Sequence, residues 1–154
     1  MSGTLRDRRL RYARTILQSR QCSIALVGET SDLEGLRVLV LGTSAADTLC
    51  ALMHTECRKA EARPPDAHAE ARSADLVLVP HVTLVAINRV IDQAVRSLDH
   101  HGRIVIASPP GERHFIDLTV AALVQAGFDL PFLELDGGET RIHASLGEVI
   151  ARAD

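Results

Sequence analysis

Residues 38–41 read Val-Leu-Val-Leu, an unbroken apolar run between Arg37 and Gly42. A strand of this kind has no polar face to turn toward water, so it must be covered on both sides. That is the pattern of a parallel sheet, whose crossover connections carry helices onto both faces. Two further runs repeat it. Leu76 to Val79 is entered through Asp75 and closed by Pro80-His81, and Ile104 to Ala107 is closed by Ser108-Pro109-Pro110-Gly111. Cys57 to Ala62 supplies a more polar strand carrying Arg58, Lys59 and Glu61.

Helical patterns separate these runs. One spans Ala45 to Thr55, with Leu49, Leu52 and Met53 as its inward stripe. A longer one spans Leu84 to Leu98 with Val85, Ile87, Val90, Ile91, Ala94 and Leu98 turned inward, and His100-His101-Gly102 reads as its stop. A third runs from Phe115 to Ala126 and ends at Gly127. The final strands differ. Phe132 to Leu135 and Thr140 to Ser145 flank Asp136-Gly137-Gly138-Glu139, a tight turn that joins only antiparallel neighbours. The expected fold is α/β: a three-layer, mostly parallel mixed sheet with an antiparallel hairpin at its C-terminal edge.

The N-terminal region is of another kind. Thr4 to Ser19 reads as an amphipathic helix whose polar side carries Arg6, Arg8, Arg9, Arg11 and Arg14. Cys22 to Val27 reads as an extra strand, and Thr30 to Leu36 as a turn-rich link. Residues 67–72 allow a helical turn, and the tail from Leu146 to Asp154 a short helix. With 154 residues the chain has material for one core, so 1–154 is read as one domain with 1–32 as a helical extension.

Composition narrows the function. A net charge of -3 and 3% aromatic residues argue against a surface built for nucleic acid. No apolar run reaches the ~20 residues of a membrane span. The first residues carry no apolar signal core, so a cytoplasmic location is expected. Cys22, Cys50 and Cys57 show no paired spacing and read as small buried apolar residues in a reducing compartment. No metal site is expected, since the seven histidines form no H-x-x-x-H pattern. A nicotinamide site would need G-x-G-x-x-G, and Gly42 supplies only its first glycine. A phosphate-accepting receiver domain would need an acidic cluster and a Lys closing the fifth strand, and neither is present.

An α/β sheet ending in an antiparallel hairpin resembles the class I S-adenosylmethionine-dependent methyltransferases, a Rossmann-like family. The resemblance runs from about Leu33 to Leu146. It is carried most directly by Leu33-Glu34-Gly35-Leu36-Arg37-Val38-Leu39-Val40-Leu41-Gly42, which looks like the family's first strand and cofactor loop. It implies that Gly42, Thr43 and Ser44 approach S-adenosylmethionine, since small residues let backbone come close and helix N-termini favour anionic groups. It also implies a carboxylate for the ribose hydroxyls at the end of the second strand. Glu61 falls about 20 residues past Gly42, where dinucleotide folds place such a residue, and Asp66 is second choice. His81 would face the crevice as a general base for a hydroxyl or amine acceptor. Arg113 and His114, with Ser108 and Glu112, would rim the same crevice, Arg113 able to pair with a substrate carboxylate. The N-P-P-Y signature of nucleic-acid amino methyltransferases is absent.

One departure stands out. Twelve residues separate Ala62 from Asp75, where the family holds a third strand and a helix beside the adenine. A segment this short with two prolines cannot hold both. Two readings follow. The chain is a methyltransferase acting on a small acceptor through an open adenine side. Alternatively, it is a catalytically inactive relative serving as an interaction or regulatory module, a homodimer through its first helix or its edge hairpin.

Overall fold

The computed structural model describes residues 33–42, 45–65, 70–109, 112–129, 131–136 and 139–147. The expectations for Thr4 to Ser19, Cys22 to Val27, residues 66–69 and the tail beyond Gly147 lie outside them.

Six strands form one sheet in the order β2-β1-β3-β4-β6-β5. They are β1 (Arg37–Leu41), β2 (Lys59–Arg63), β3 (Ala74–Val79), β4 (Leu98–Ser108), β5 (Phe132–Asp136) and β6 (Glu139–Ser145). The helices are α1 (Ala45–Leu52), α2 (Ile87–Ser97) and α3 (Arg113–Ala126). The first four strands run parallel, and β6 pairs antiparallel with both β4 and β5. The mixed sheet read from the sequence is therefore present. Strand β2 is an edge, and the described residues between it and β3 form no helix or strand.

Alternation along the strands divides the core in two. Val38 and Val40 of β1 join Leu76, Leu78, Val105, Ala107, Leu33 and Leu52 of α1 on one face. Leu39 and Leu41 join Val77, Val79, Ile104, Ile106 and Ile142 on the other, beneath Val90 and Ile91 of α2 and Phe115 and Leu123 of α3. Successive strand side chains point to opposite faces, so each apolar run must fill both layers.

Several element ends differ from expectation. Helix α1 stops at Leu52 rather than Thr55, because Thr55 folds back and donates from its N–H and Oγ1 to the Leu52 carbonyl at 3.0 and 2.6 Å. Met53 is consequently exposed, and Leu49 is half-buried. Thr48 and Leu52, one turn apart, are the buried pair instead. Cys50 lies on the outer side of α1 and is exposed, and Cys57 is half-buried, so neither is the core residue expected. Helix α2 starts at Ile87 after a turn in which Ala86 N–H donates to Thr83, leaving Val85 exposed. It ends at Ser97. Leu98 goes extended to pair with Ala74, so His100-His101-Gly102 belongs to β4 and is no helix stop. Between Ala74 and Leu76 the β3–β4 register jumps from Leu98 to Arg103. Strand pairing overrides the local cap signal, and the extra residues form a bulge with His101 at φ 62.

A charged clasp ties the N-terminal ends of three strands. Arg37 reaches both oxygens of Asp75 through Nε and Nη2, at 3.1 and 3.0 Å, and its backbone N–H also donates to Asp75 at 2.9 Å. Nη2 also donates to Asp99 at 3.0 Å. The Arg37 hydrogen bond holds Asp75 below the ordinary carboxylate range; Asp99 is lowered first by the His100 backbone N–H and then by Arg37. A lowered folded-state pKa gives stability that is present above the unfolded value, about 4, and lost as pH falls through the folded value. Asp75→Asn is accordingly expected to lower Tm by a few degrees at pH 7, since the pair is partly solvated. The gap to the unchanged chain should close as pH falls below about 4 in melts followed by circular dichroism.

Candidate functional site

In an open parallel sheet, ligands bind beyond the carboxyl ends of the strands. Here those ends are Leu41, Arg63, Val79 and Ser108. The chain leaves β1 through Gly42, whose N–H donates to the Arg63 carbonyl at 3.3 Å. Gly42 has φ 126, which side-chain-bearing residues rarely adopt. A Cβ there would collide with the backbone carbonyl of His81. Gly42 therefore lets the loop after β1 and the loop after β3 touch. Gly42 and His81, both expected at the crevice, therefore lie side by side, and the His81 side chain is exposed to solvent.

The β2 side is arranged differently. Glu61 pairs with Leu39 of β1, two residues short of the strand end, while Arg63 pairs with Leu41. Their side chains share one face of the strand. Arg63 Nε donates to Glu61 Oε1 at 2.7 Å, and Lys59 Nζ stands 3.8 Å from Oε2. The Glu61 carboxylate is thus drawn toward the end of β2 and partly neutralised there. Arg63 is a residue that the sequence reading missed. Counting from Gly42 selects Glu61, whereas counting back from Pro64 would have shown that an arginine closes the strand.

Beyond β4, Ser108 is buried and its Oγ donates to the Pro109 carbonyl at 3.1 Å. The chain then turns into α3, where Ile116 N–H donates to the Glu112 carbonyl at 3.2 Å. Arg113 and His114 open α3 and are exposed, as is Glu112. They stand on the β4 side of the crevice, and Glu61 stands on the β2 side. Thr43, Ser44 and Asp66 lie outside the described residues. Thr48 was also missed. Its Oγ1 is buried in α1, the helix entered from the Gly42 loop, and has no hydrogen-bond partner. A threonine inside a helix carries no sequence signal of that kind. Among the described residues no three His, Cys, Asp or Glu side chains are grouped to hold a metal ion, and no helix is long and apolar enough to cross a membrane.

The requirement at Gly42 is testable against Gly35, which has φ 73 but open space around its missing Cβ. Gly35→Ala is expected to cost about 1 kcal/mol for the left-handed backbone alone. Gly42→Ala should cost roughly 2 kcal/mol or more, since strain and the clash with His81 add. Urea unfolding of the two variants measures the difference.

No family model and no curated protein sequence matches the chain. Solved structures do. A predicted O-methyltransferase from Agrobacterium tumefaciens matches with a TM-score of 0.64 and 13% identity, over 82% of this chain and 81% of that one. The 1,6-didemethyltoxoflavin-N1-methyltransferase of Burkholderia thailandensis, solved with S-adenosylhomocysteine, matches at 0.62 and 13% identity, over 90% and 84%. The pyocyanin biosynthetic protein PhzM matches at 0.63 and 11% identity over 94% of this chain, which spans 60% of that protein. The parallel strands, the antiparallel β4-β6-β5 end and these matches together give this chain the fold of the class I S-adenosylmethionine-dependent methyltransferases.

Proposed function

We propose that the chain is an S-adenosylmethionine-dependent methyltransferase acting on a small acceptor. The observation that carries this reading is the contact of Gly42 with the His81 backbone at the carboxyl ends of β1 and β3. It forms a floor at the place where ligands of such sheets bind. The residues fit the cofactor in two respects. The turn at Gly42 presents backbone without a side chain, and α1 brings a buried hydroxyl, Thr48 Oγ1, that lacks a partner. Glu61 supplies the carboxylate that a ribose diol needs. Arg63 holds Oε1 at short range, whereas Lys59 is distant from Oε2, so acceptor capacity for hydroxyl donors is left. Thr43 and Ser44 complete the loop in this reading.

When bound, S-adenosylmethionine supplies an activated methyl group. The protein's own part is to position and to move a proton. Arg113 and His114 orient an acceptor at the α3 end of the crevice, Arg113 by pairing with a carboxylate on it. The exposed imidazole of His81 takes the proton from the acceptor's hydroxyl or amine as general base. Among the described residues no strand lies beyond β2 on the adenine side of the crevice, which fits a weakly held cofactor.

Calorimetric titration of S-adenosylhomocysteine tests this reading. One site with micromolar affinity is expected, and Glu61→Gln should weaken it about tenfold, the worth of a charge-assisted hydrogen bond. His81→Gln should leave that affinity unchanged. No heat up to millimolar ligand would overturn the assignment.

A second reading, a binding module that dimerises, is favoured by one observation. Strand β5 is a sheet edge whose Phe132, Leu133 and Leu135 are all exposed, Leu135 at 79%. The opposite edge, β2, is guarded by Lys59, Glu61, Arg63 and two prolines. Natural sheets blunt an edge that stays free; β5 carries Glu134 and Asp136 behind Pro131, yet three of its five residues are exposed and apolar. In this reading a second copy of the chain covers β5. Sedimentation velocity should then show a dimer that Leu135→Lys converts to monomer, and a concentration-independent monomer would remove the idea.

A further inference from the structure

The β5–β6 hairpin carries a cluster of titratable side chains that the crevice does not use. Phe132 pairs with His143 and Glu134 with Arg141, so all four side chains lie on one face of the sheet. The Phe132 and His143 rings are stacked, with centroids 4.7 Å apart and planes within 6° of parallel. Glu134 stands between the other two. Its Oε1 accepts from Arg141 Nη1 at 2.7 Å, and its Oε2 lies 3.3 Å from His143 Nε2. That nitrogen is buried and closes no hydrogen bond, in spite of its neighbour. A buried polar atom left this way is costly and calls for an explanation.

The described groups that face the imidazole come from three strands. Strand β5 brings Phe132 and Glu134, β6 brings Arg141, and β4 brings Arg103, which pairs with Ser145 on the same face. Burial is the largest influence and works against the imidazolium; Glu134 favours it, while Arg141 and Arg103 oppose it. The balance holds His143 below the ordinary histidine range.

Part of what covers the imidazole is the Phe132 ring, and Phe132 is lightly held. It is the first residue of an edge strand, it follows Pro131, and it is itself 59% exposed. A strand end that buries so little opens at low cost. With Phe132 lifted, the imidazole meets water and takes a proton more readily. A proton therefore shifts the population toward the opened arrangement, because it binds that arrangement better.

We propose that His143 is a proton-operated latch on the edge strand: neutral, it holds Phe132 against β6, and protonated, it favours the arrangement in which Phe132 has lifted away. The sign follows from linkage. Above about 6.5, the ordinary histidine value, both arrangements carry a neutral ring and the latch is closed; its hold is lost as pH falls toward the lowered folded value. The proposal does not depend on what the crevice binds.

NMR titration of the histidine ring protons and hydrogen–deuterium exchange of residues 132–136 test it together. His143 should titrate below about 6.5, and Phe132→Ala should move it up toward that value. Between about pH 7.5 and about pH 5, opening of residues 132–136, corrected for intrinsic exchange, should rise by up to about tenfold for each pH unit that separates the closed and open titrations. His143→Phe keeps an aromatic ring in the stack and binds no proton, so opening there should become indifferent to pH. Melting curves confirm that each variant is folded when measured, and the titration of the unchanged chain needs no variant. His143 titrating at the ordinary value or above it, opening of residues 132–136 equal at the two pH values, or a pH response that survives in His143→Phe would each overturn the proposal.

Discussion

The rest of the structure depends on β1 being buried on every side. Val38 to Leu41 are each at most 2% exposed, and β1 is flanked by β2 and β3. A strand so placed satisfies its backbone through both neighbours and needs apolar cover above and below. Alpha helices supply that cover, α1 on one face and α2 with α3 on the other. Only the two ends of β1 are left to do anything else. Arg37 at the start clasps Asp75 and Asp99, and Gly42 at the finish gives way to the His81 carbonyl. The clasp fixes the strand starts in register, and the contact at Gly42 fixes where the crevice begins.

The crevice combines a familiar framework with an unfamiliar edge. Among the described residues the sheet ends at β2, with no further strand on that side. The same strand closes with Arg63, which binds the Glu61 carboxylate. An edge strand gains from such a charge pair, because alternating charge discourages pairing with another chain. Glu61 guards that edge together with Arg63 and Lys59. The other edge, β5, also carries charge in Glu134 and Asp136, but its exposed leucines and phenylalanine set it apart.

Much of the fold was legible because burial leaves a plain mark on sequence. The runs at Val38, Leu76 and Ile104 read as doubly buried strands and are so. Asp136-Gly137-Gly138-Glu139 announced the antiparallel pairing of β5 with β6. The errors came where tertiary pairing overrode local chemistry. His100-His101-Gly102 has the composition of a helix stop, yet the pull of Leu98 toward Ala74 makes it a bulge. Met53 and Val85 fit a helical stripe by spacing, but each falls in a turn beside its helix. Of the proposed site residues, Gly42 and His81 were singled out separately, and their proximity follows from the adjacency of β1 and β3. Arg63 and Thr48 were not, since a strand's last residue and a helix's buried hydroxyl depend on register and packing.

Hydrogen–deuterium exchange with and without S-adenosylhomocysteine tests the central claim most directly, because it locates binding as well as detecting it. The account predicts slower exchange in segments containing Gly42, residues 61–63 and His81, with β5 unchanged. Exchange unchanged throughout at millimolar ligand, or protection confined to other segments, would contradict it.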